Sequence, residues 1–257
     1  MILLVNDMKI LITGASNGLG ADFARTLDSK DNELILVARS KDKLEKLKKE
    51  LKSKVTIEVM DLSDKNNVYK LYNKYKNKID FLINNAGFGA YGKFYETNLE
   101  NELNMIDLNV ITYHILTKLF LQDFVNNDNG RILNVASSAA FEPGPLMATY
   151  YATKSYVYNL TMAIYEELRR DNSNVKIHVL CPGPVDTGFN DRANVRFGVK
   201  SLKSDDVVKY TLKCINKNKV LIIPGVMMKL GIFGTRFVSR KGISKIAYNI
   251  QKSKSLQ

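Results

Sequence analysis

The stretch KILITGASNGLG, Lys9 to Gly20, decides the fold. Its first five residues form an apolar run of the kind a strand buried on both faces needs. The run empties directly into Thr13-Gly14-Ala15-Ser16-Asn17-Gly18-Leu19-Gly20, after which Phe23, Ala24 and Leu27 fall on one side of a helical repeat. Glycines at such a junction let the backbone approach an anionic group, whose charge is favoured by the free amides and dipole of a helix N-terminus. The spacing Gly-x-x-x-Gly-x-Gly is a variant of the dinucleotide-binding fingerprint. It makes Gly14, Ser16, Asn17, Gly18, Leu19 and Gly20 a candidate pyrophosphate cradle; a tight strand-to-helix connection without a ligand has the same composition.

Working outward, a second strand, ELILVA, ends at Ala38-Arg39-Ser40. An acid at that point would suit ribose hydroxyls. Arg39 instead offers a planar fork matched to a 2′-phosphate, which argues for NADP(H); the other reading is a solvated arginine at a strand end. Residues 41–54 carry Leu44, Leu47 and Leu51 on one stripe, a sheet-covering helix with a charged outer face and not a nucleic-acid patch. A third strand, VTIEVM, leads to Asp61 and Leu62, placed to meet an adenine edge. A helix from about Ser63 to Tyr75 and a fourth strand, IDFLIN, follow, closing with Asn84-Asn85-Ala86-Gly87. Four rounds of strand and helix predict an α/β fold, a doubly wound parallel sheet with helices on both faces. Asn85, Ala86 and Gly87 then sit at the carboxyl edge, where a cofactor crosses.

A second stretch carries the chemistry: SSAAFEPGPLMATYYATK, Ser137 to Lys154. Tyr150 and Lys154 are four apart on a helix, so phenol and ammonium project from one face. A phenol with an ordinary pKa of about 10 exchanges protons poorly near neutrality unless a cation stabilises the phenolate. Lys154 supplies that cation, and Ser137, returned by the Pro-Gly-Pro turn, supplies a hydroxyl for a substrate oxygen. The same residues also fit the start of an ordinary amphipathic helix.

TGASNGLG, NNAG, Asn109 in the following long helix, Ser137, Tyr150 with Lys154, and Pro182-Gly183 with Thr187 occur in one order across residues 8–225. This set resembles the short-chain dehydrogenase/reductase superfamily, in its shorter single-domain branch. The resemblance implies a Rossmann domain with a sheet of about seven strands and a nicotinamide cofactor across its carboxyl edge. It implies Tyr150 as catalytic acid/base, Lys154 as the partner that lowers its pKa and binds the nicotinamide ribose, and Ser137 as the carbonyl-orienting hydroxyl. Asn109 would hold a water that relays protons to Lys154. Pro182, Gly183, Val185 and Thr187 would contact the nicotinamide end. Tyr151 falls outside the family spacing. The implied activity is reversible, NADP(H)-dependent reduction of a carbonyl to an alcohol. Phe88, Tyr91, Phe141, Leu146 and Met147 flank the motifs and favour an apolar ketone, aldehyde, steroid-like or 3-oxoacyl substrate. A non-catalytic NADP-binding sensor or scaffold is the alternative. An epimerase of the longer branch lacks room for its substrate domain and has a different glycine spacing. A homodimer or homotetramer through the two long helices is expected by the same resemblance.

Composition sets limits around this. In 257 residues the apolar fraction is 45% and the charged fraction 25%, as in a soluble globular protein. Two cysteines and two histidines give no bridge framework and little support for a metal. Cytoplasm is the expected location. His178 alternates with apolar neighbours and reads as a core residue. Residues 1–7 precede Met8, a possible start, and residues 188–203 read as a substrate loop. Net charge is +12, yet eleven bases and no acid follow Asp206, leaving 27 bases against 26 acids before it. The chain after Asp206 therefore carries the charge, and seven of those bases fall in segment 226–257, interleaved with Met227, Met228, Leu230, Ile232, Phe233, Phe237 and Val238. Three readings fit: a cap on the substrate pocket or a subunit contact, a peripheral contact with an anionic membrane, or an attraction for acidic acyl carriers.

Overall fold

Each of the apolar runs becomes a parallel strand in the computed structural model, which describes residues 7–186 and 201–252. Thr187, residues 1–6 of the leader and most of the expected substrate loop lie outside the described residues. The strands are β1 (Lys9–Thr13), β2 (Glu33–Ala38), β3 (Lys54–Val59), β4 (Phe81–Asn84), β5 (Arg131–Val135) and β6 (Lys176–Leu180). Short strands β7 (Val185–Asp186) and β8 (Leu202–Lys203) pair with each other, and β9 (Leu221–Ile222) closes the main sheet. Its order is β3-β2-β1-β4-β5-β6-β9, seven strands, all parallel. The order reverses between β1 and β4, so the connections leaving their carboxyl ends diverge and open a crevice.

Alternation along β1 shows why both faces need cover. Ile10 and Ile12 join one core with Leu34, Leu36 and helices α1 (Gly18–Thr26) and α2 (Lys41–Glu50). Leu11 faces the other way, with Ile35, Leu82 and helices α3 (Lys65–Tyr75), α4 (Leu99–Ile106), α5 (Thr112–Asn126) and α6 (Ala148–Arg170). All three β1 residues are wholly buried, each contributing about 1.5–3 kcal/mol. Helix α7 (Ser204–Ile215) returns to the first face through Val207, Val208 and Leu212. The chain then runs into α8 (Val226–Gly234) and α9 (Arg240–Lys252).

Three boundaries differ from the sequence reading. Helix α3 starts at Lys65 because the Asp64 carboxylate caps it, accepting from the Asn66 amide. The predicted last strand, KVLIIP, pairs only at Leu221 and Ile222. The long helix holding Asn109 is interrupted by a π turn over Asp107–Ile111.

Candidate active site

The crevice widens into a cavity of about 790 Å³. At its floor, Thr13 ends β1 and joins two loops: its hydroxyl accepts from the amides of Asn85 (2.9 Å) and Ala86 (3.0 Å). Asn85 returns a bond from Nδ2 to the Thr13 carbonyl at 3.0 Å. Gly14 has φ +66°, and a Cβ there would meet the Ala86 Cα at 2.8 Å. Gly18 has φ +53°. A side chain on either would be strained, so the turn exposes backbone where a bulky group can approach. Ser16, Asn17, Gly18 and Leu19 line the cavity, as do Asn85, Ala86 and Gly87. Gly20 lies beneath them: a Cβ would come within 2.3 Å of the Gly14 carbonyl oxygen. It lets α1 seat against the turn.

At one end of the cavity Arg39 meets Asp61, Nη1 to Oδ2 at 3.3 Å, with both side chains nearly half exposed. Partial burial alone would raise the Asp61 carboxyl. The Ser63 amide (3.0 Å), the Ser63 hydroxyl (2.8 Å) and Arg39 outweigh it and hold the group below its ordinary range. Leu62 lines the wall beside it.

At the other end α6 presents Tyr150 and Lys154, both buried. Lys154 Nζ lies 5.9 Å from the Tyr150 ring centroid and 5.3 Å from that of Tyr113, and donates to the Val135 carbonyl at 2.9 Å. Ser137 follows β5 and bonds the Tyr150 phenol through its side chain. Burial pushes Tyr150 up to about 12 against the pull of that bond. Burial pushes Lys154 down to about 8. The phenol thus stands above its ordinary value here, because its own desolvation outweighs the Ser137 hydrogen bond.

Asn109 is wholly buried behind this pair. Its Nδ2 donates to the Phe88 carbonyl (2.9 Å) and the Thr153 hydroxyl (3.1 Å), and its Oδ1 accepts from the Phe88 amide (3.1 Å). The π turn carries it, as such bulges often do at working sites. A Cβ on Gly87 would stand 2.9 Å from Asn109 Oδ1 and 3.4 Å from Lys154 Nζ, so glycine keeps that gap clear of side chain.

Pro182, Gly183 and Val185 line the far wall, while Thr187 lies outside the described residues. Sequence reasoning missed Cys181, whose buried thiol faces the same electrostatics and is pushed up to about 12 by burial. Its place before Pro182-Gly183 was the available signal. It also missed the role of Thr13. Of the flanking apolar residues, Phe141 and Met147 line the cavity, and Phe88 joins the core beneath. His178 is buried, bonded through Nδ1 to the Lys219 carbonyl at 2.8 Å and pushed down to about 4 by burial, a neutral core residue.

The outer wall comes from the tail. Met228, Ile232 and Thr235 of α8 and its continuation, and Ile243, Ala247 and Gln251 of α9, line the cavity. Met228 packs over Gly183, where a Cβ would meet its methyl at 2.4 Å. Gln251 Nε2 donates to the Tyr151 hydroxyl, and the Tyr91 hydroxyl donates to the Gln251 carbonyl at 3.3 Å. Tyr151 is therefore tied to the tail.

Residues 8–196 match the family model for short chain dehydrogenase. An uncharacterised oxidoreductase of Staphylococcus epidermidis is 30% identical over 229 residues, covering 86% of this chain and 98% of the relative. The 3-oxoacyl-[acyl-carrier-protein] reductase of Rickettsia conorii is 31% identical over 185 residues, 72% of this chain and 75% of that one. A short-chain dehydrogenase from Sphingobium yanoikuyae, solved in complex with NADPH, superposes with a TM-score of 0.80 at 27% identity, covering 90% of this chain and 94% of the other.

Proposed function

This chain belongs to the short chain dehydrogenase family, oxidoreductases that work with a nicotinamide cofactor, and on that premise we propose that it reversibly reduces the carbonyl of an apolar substrate with NADP(H). One observation carries the reading: Tyr150, Ser137 and Lys154 converge at one end of a cavity whose other end is a glycine turn with Arg39 at its rim. The residues fit the cofactor, because Gly14 leaves bare backbone where a Cβ would strike Ala86. Gly14 to Gly20 would hold the pyrophosphate on free amides, Arg39 the 2′-phosphate, and Asp61 and Leu62 the adenine. Asn85 to Gly87 would flank the middle of the cofactor; Lys154 would take the ribose, and Pro182, Gly183, Val185 and Thr187 the nicotinamide. When bound, the group supplies or accepts the hydride.

Tyr150 gives the proton to the carbonyl oxygen during reduction and takes it back during oxidation. A phenol held near 12 by burial is a weak acid that stays protonated until charge develops on the oxygen beside it. Ser137 donates to that oxygen and orients it. Lys154, with Nζ fixed on Val135 O, places its charge next to the Tyr150 ring and favours the phenolate as it forms. Asn109 positions Gly87, Phe88 and Thr153, and with the gap over Gly87 it would hold a water through which Lys154 exchanges protons. Residues 8–225 make up the catalytic unit, and the described part of segment 226–257, as far as Lys252, covers it. Copies pair through α5 and α6 as a homodimer or homotetramer.

The apolar wall from Phe141, Met147, Met228 and Ile232 favours a 3-oxoacyl thioester or bulky ketone over a small polar one, a preference shared with the Rickettsia relative's named substrate. NADPH oxidation against such a panel, with NADH for comparison, tests it. We expect NADPH to be preferred and Tyr150→Phe to lower kcat/KM by about 10²–10⁴-fold with NADPH binding intact. Equal rates for the two proteins would overturn the role of Tyr150. Binding without turnover in either would favour the sensor or scaffold reading.

A further inference from the structure

Helix α8 is apolar on two sides. One side, with Met228 and Ile232, lines the cavity. The other carries Val226, Met227, Leu230 and Phe233, with Phe237 just beyond, exposed by 54–80%. No residue of α8 is buried. Positions 226, 230, 233 and 237 fall at helical spacing, so these side chains form one continuous stripe. Exposed bases accompany it: Lys229 within α8, Arg236 over the Phe233 ring, and Arg240, Lys241 and Lys245 on the following α9. None has an ion pair among the described residues, and the sequence offers no acid after Asp206.

We propose that this face seats on an anionic lipid bilayer, with the α8 stripe in the headgroup boundary, and that α8 is the gate between the bilayer and the cavity. Charge decides among occupants. A two-fold contact with a second copy sets the same patch against itself, which here opposes bases to bases with no acid to relieve them. An acidic carrier protein would satisfy the bases but leave the exposed Phe, Leu, Met and Val stripe without a purpose. A bilayer satisfies both, burying the stripe and attracting each nearby base by about 1 kcal/mol. The attachment is peripheral, since no helix among the described residues is long and apolar enough to cross a membrane. The gate part rests on the apolar-substrate reading above: a lipid-borne carbonyl compound would pass α8 into the cavity without crossing water. The seating part does not depend on that reading.

Sedimentation of the full chain with phosphatidylglycerol-containing vesicles, and with pure phosphatidylcholine vesicles, tests the seating without any turnover. The wild type is expected to pellet with the anionic vesicles, less as salt rises. The triple variant Leu230→Glu, Phe233→Glu, Phe237→Glu is expected to lose at least about tenfold in vesicle affinity, and Lys241→Glu with Lys245→Glu to lose the preference for anionic lipid. Both should keep wild-type thermal melting and turnover of a water-soluble substrate, because none of these side chains lines the cavity. Wild type that stays in the supernatant overturns the proposal. So does a triple variant that pellets fully, one that only changes the oligomer's size, or binding to an acidic carrier protein that ignores the apolar substitutions. If seating holds, vesicle-borne long-chain 3-oxo substrates should be turned over faster by wild type than by the triple variant, with soluble short-chain ones equal. Seating without that difference overturns the gate alone.

Discussion

The floor and the outer wall of the cavity are built on opposite plans. The floor is strand ends and tight turns, with Ile10, Leu11 and Ile12 of β1 wholly buried and glycines in contact with neighbouring backbone. The wall is a helix that buries nothing of its own, followed by α9, which is anchored by Ile243, Ala247 and Gln251. One region fixes a rigid geometry of polar atoms; the other meets it with adaptable apolar surface. On the proposed function, the difference teaches that the proton machinery sits in the floor while the tail adds Met228 and Ile232 to the apolar surface that Phe141 and Met147 begin. Substitutions should respect that division.

The largest effect is expected at the floor's proton machinery. Lys154→Met should lower kcat/KM by about 10²–10⁴-fold and yet make the protein more stable at pH 7. The depression of Lys154 from 10.5 to about 8 corresponds to about 3 kcal/mol that the folded state spends keeping a buried ammonium charged. The sign follows from proton counting. Between about pH 8 and 10.5 the unfolded chain binds more protons at this site, so the lysine's contribution to stability rises with pH over that window. Below it the full cost stands. Val135 O keeps a second donor, the Tyr113 hydroxyl at 3.2 Å, so methionine strands no carbonyl. Urea midpoints for both proteins at pH 7 and pH 10 should show the variant's advantage shrinking as pH rises; an advantage that does not change would mean that folding leaves the Lys154 ammonium at its ordinary pKa.

A pair of glycines breaks the comparison most directly. Gly20→Ala puts a methyl 2.3 Å from the Gly14 carbonyl oxygen, and neither backbone can yield easily. A loss of about 1–3 kcal/mol is expected, with weakened NADPH binding as the turn shifts. Gly231→Ala adds the same methyl to α8 where nothing lies within 4 Å. There the helix should gain about 0.5–1 kcal/mol from lower backbone entropy in the unfolded chain. Thermal melts settle both, and equal losses would show that the outer wall is packed as tightly as the floor.

The same division explains what was legible in the sequence. Lys9 to Gly20 announced the strand, the turn and the helix because buried parallel strands must be apolar and close backbone approach admits only glycine. Tyr150, Lys154 and Ser137 were legible through spacing. The π turn at Asp107–Ile111 left no local mark, since its residues read as ordinary helix; the break is visible only where Asn109 grips Phe88 and Thr153. Cys181 and Thr13 were hidden for a related reason: their roles arise from residues brought together across strands. The tail stayed open to three readings because a helix apolar on both sides has no periodic signal to say which side faces in. The structure puts Met228 and Ile232 toward the cavity and leaves Leu230 and Phe233 in solvent.

The smallest effect concerns the latch that joins wall to floor. Gln251 is 2% exposed, donates from Nε2 to the Tyr151 hydroxyl, and has an Oε1 with no hydrogen-bond partner among the described residues. Gln251→Leu would strand the Tyr151 hydroxyl, and Tyr151→Phe would strand the Gln251 amide. Each leaves a buried polar group unsatisfied at about 1–2 kcal/mol, whereas the double replacement removes both and should lie within about 0.5 kcal/mol of wild type. Because α9 adds few residues to the main core, the loss should appear as opening of the tail and not as global unfolding. Protease cleavage within residues 226–252 is expected to accelerate about 5–30-fold in either single variant and to return near the wild-type rate in the double, with the urea midpoint nearly constant throughout. Rates that add in the double variant would show that the two side chains do not act as a pair. A falling urea midpoint in the single variants would show that the tail is part of the cooperative core, which would erase the contrast between wall and floor.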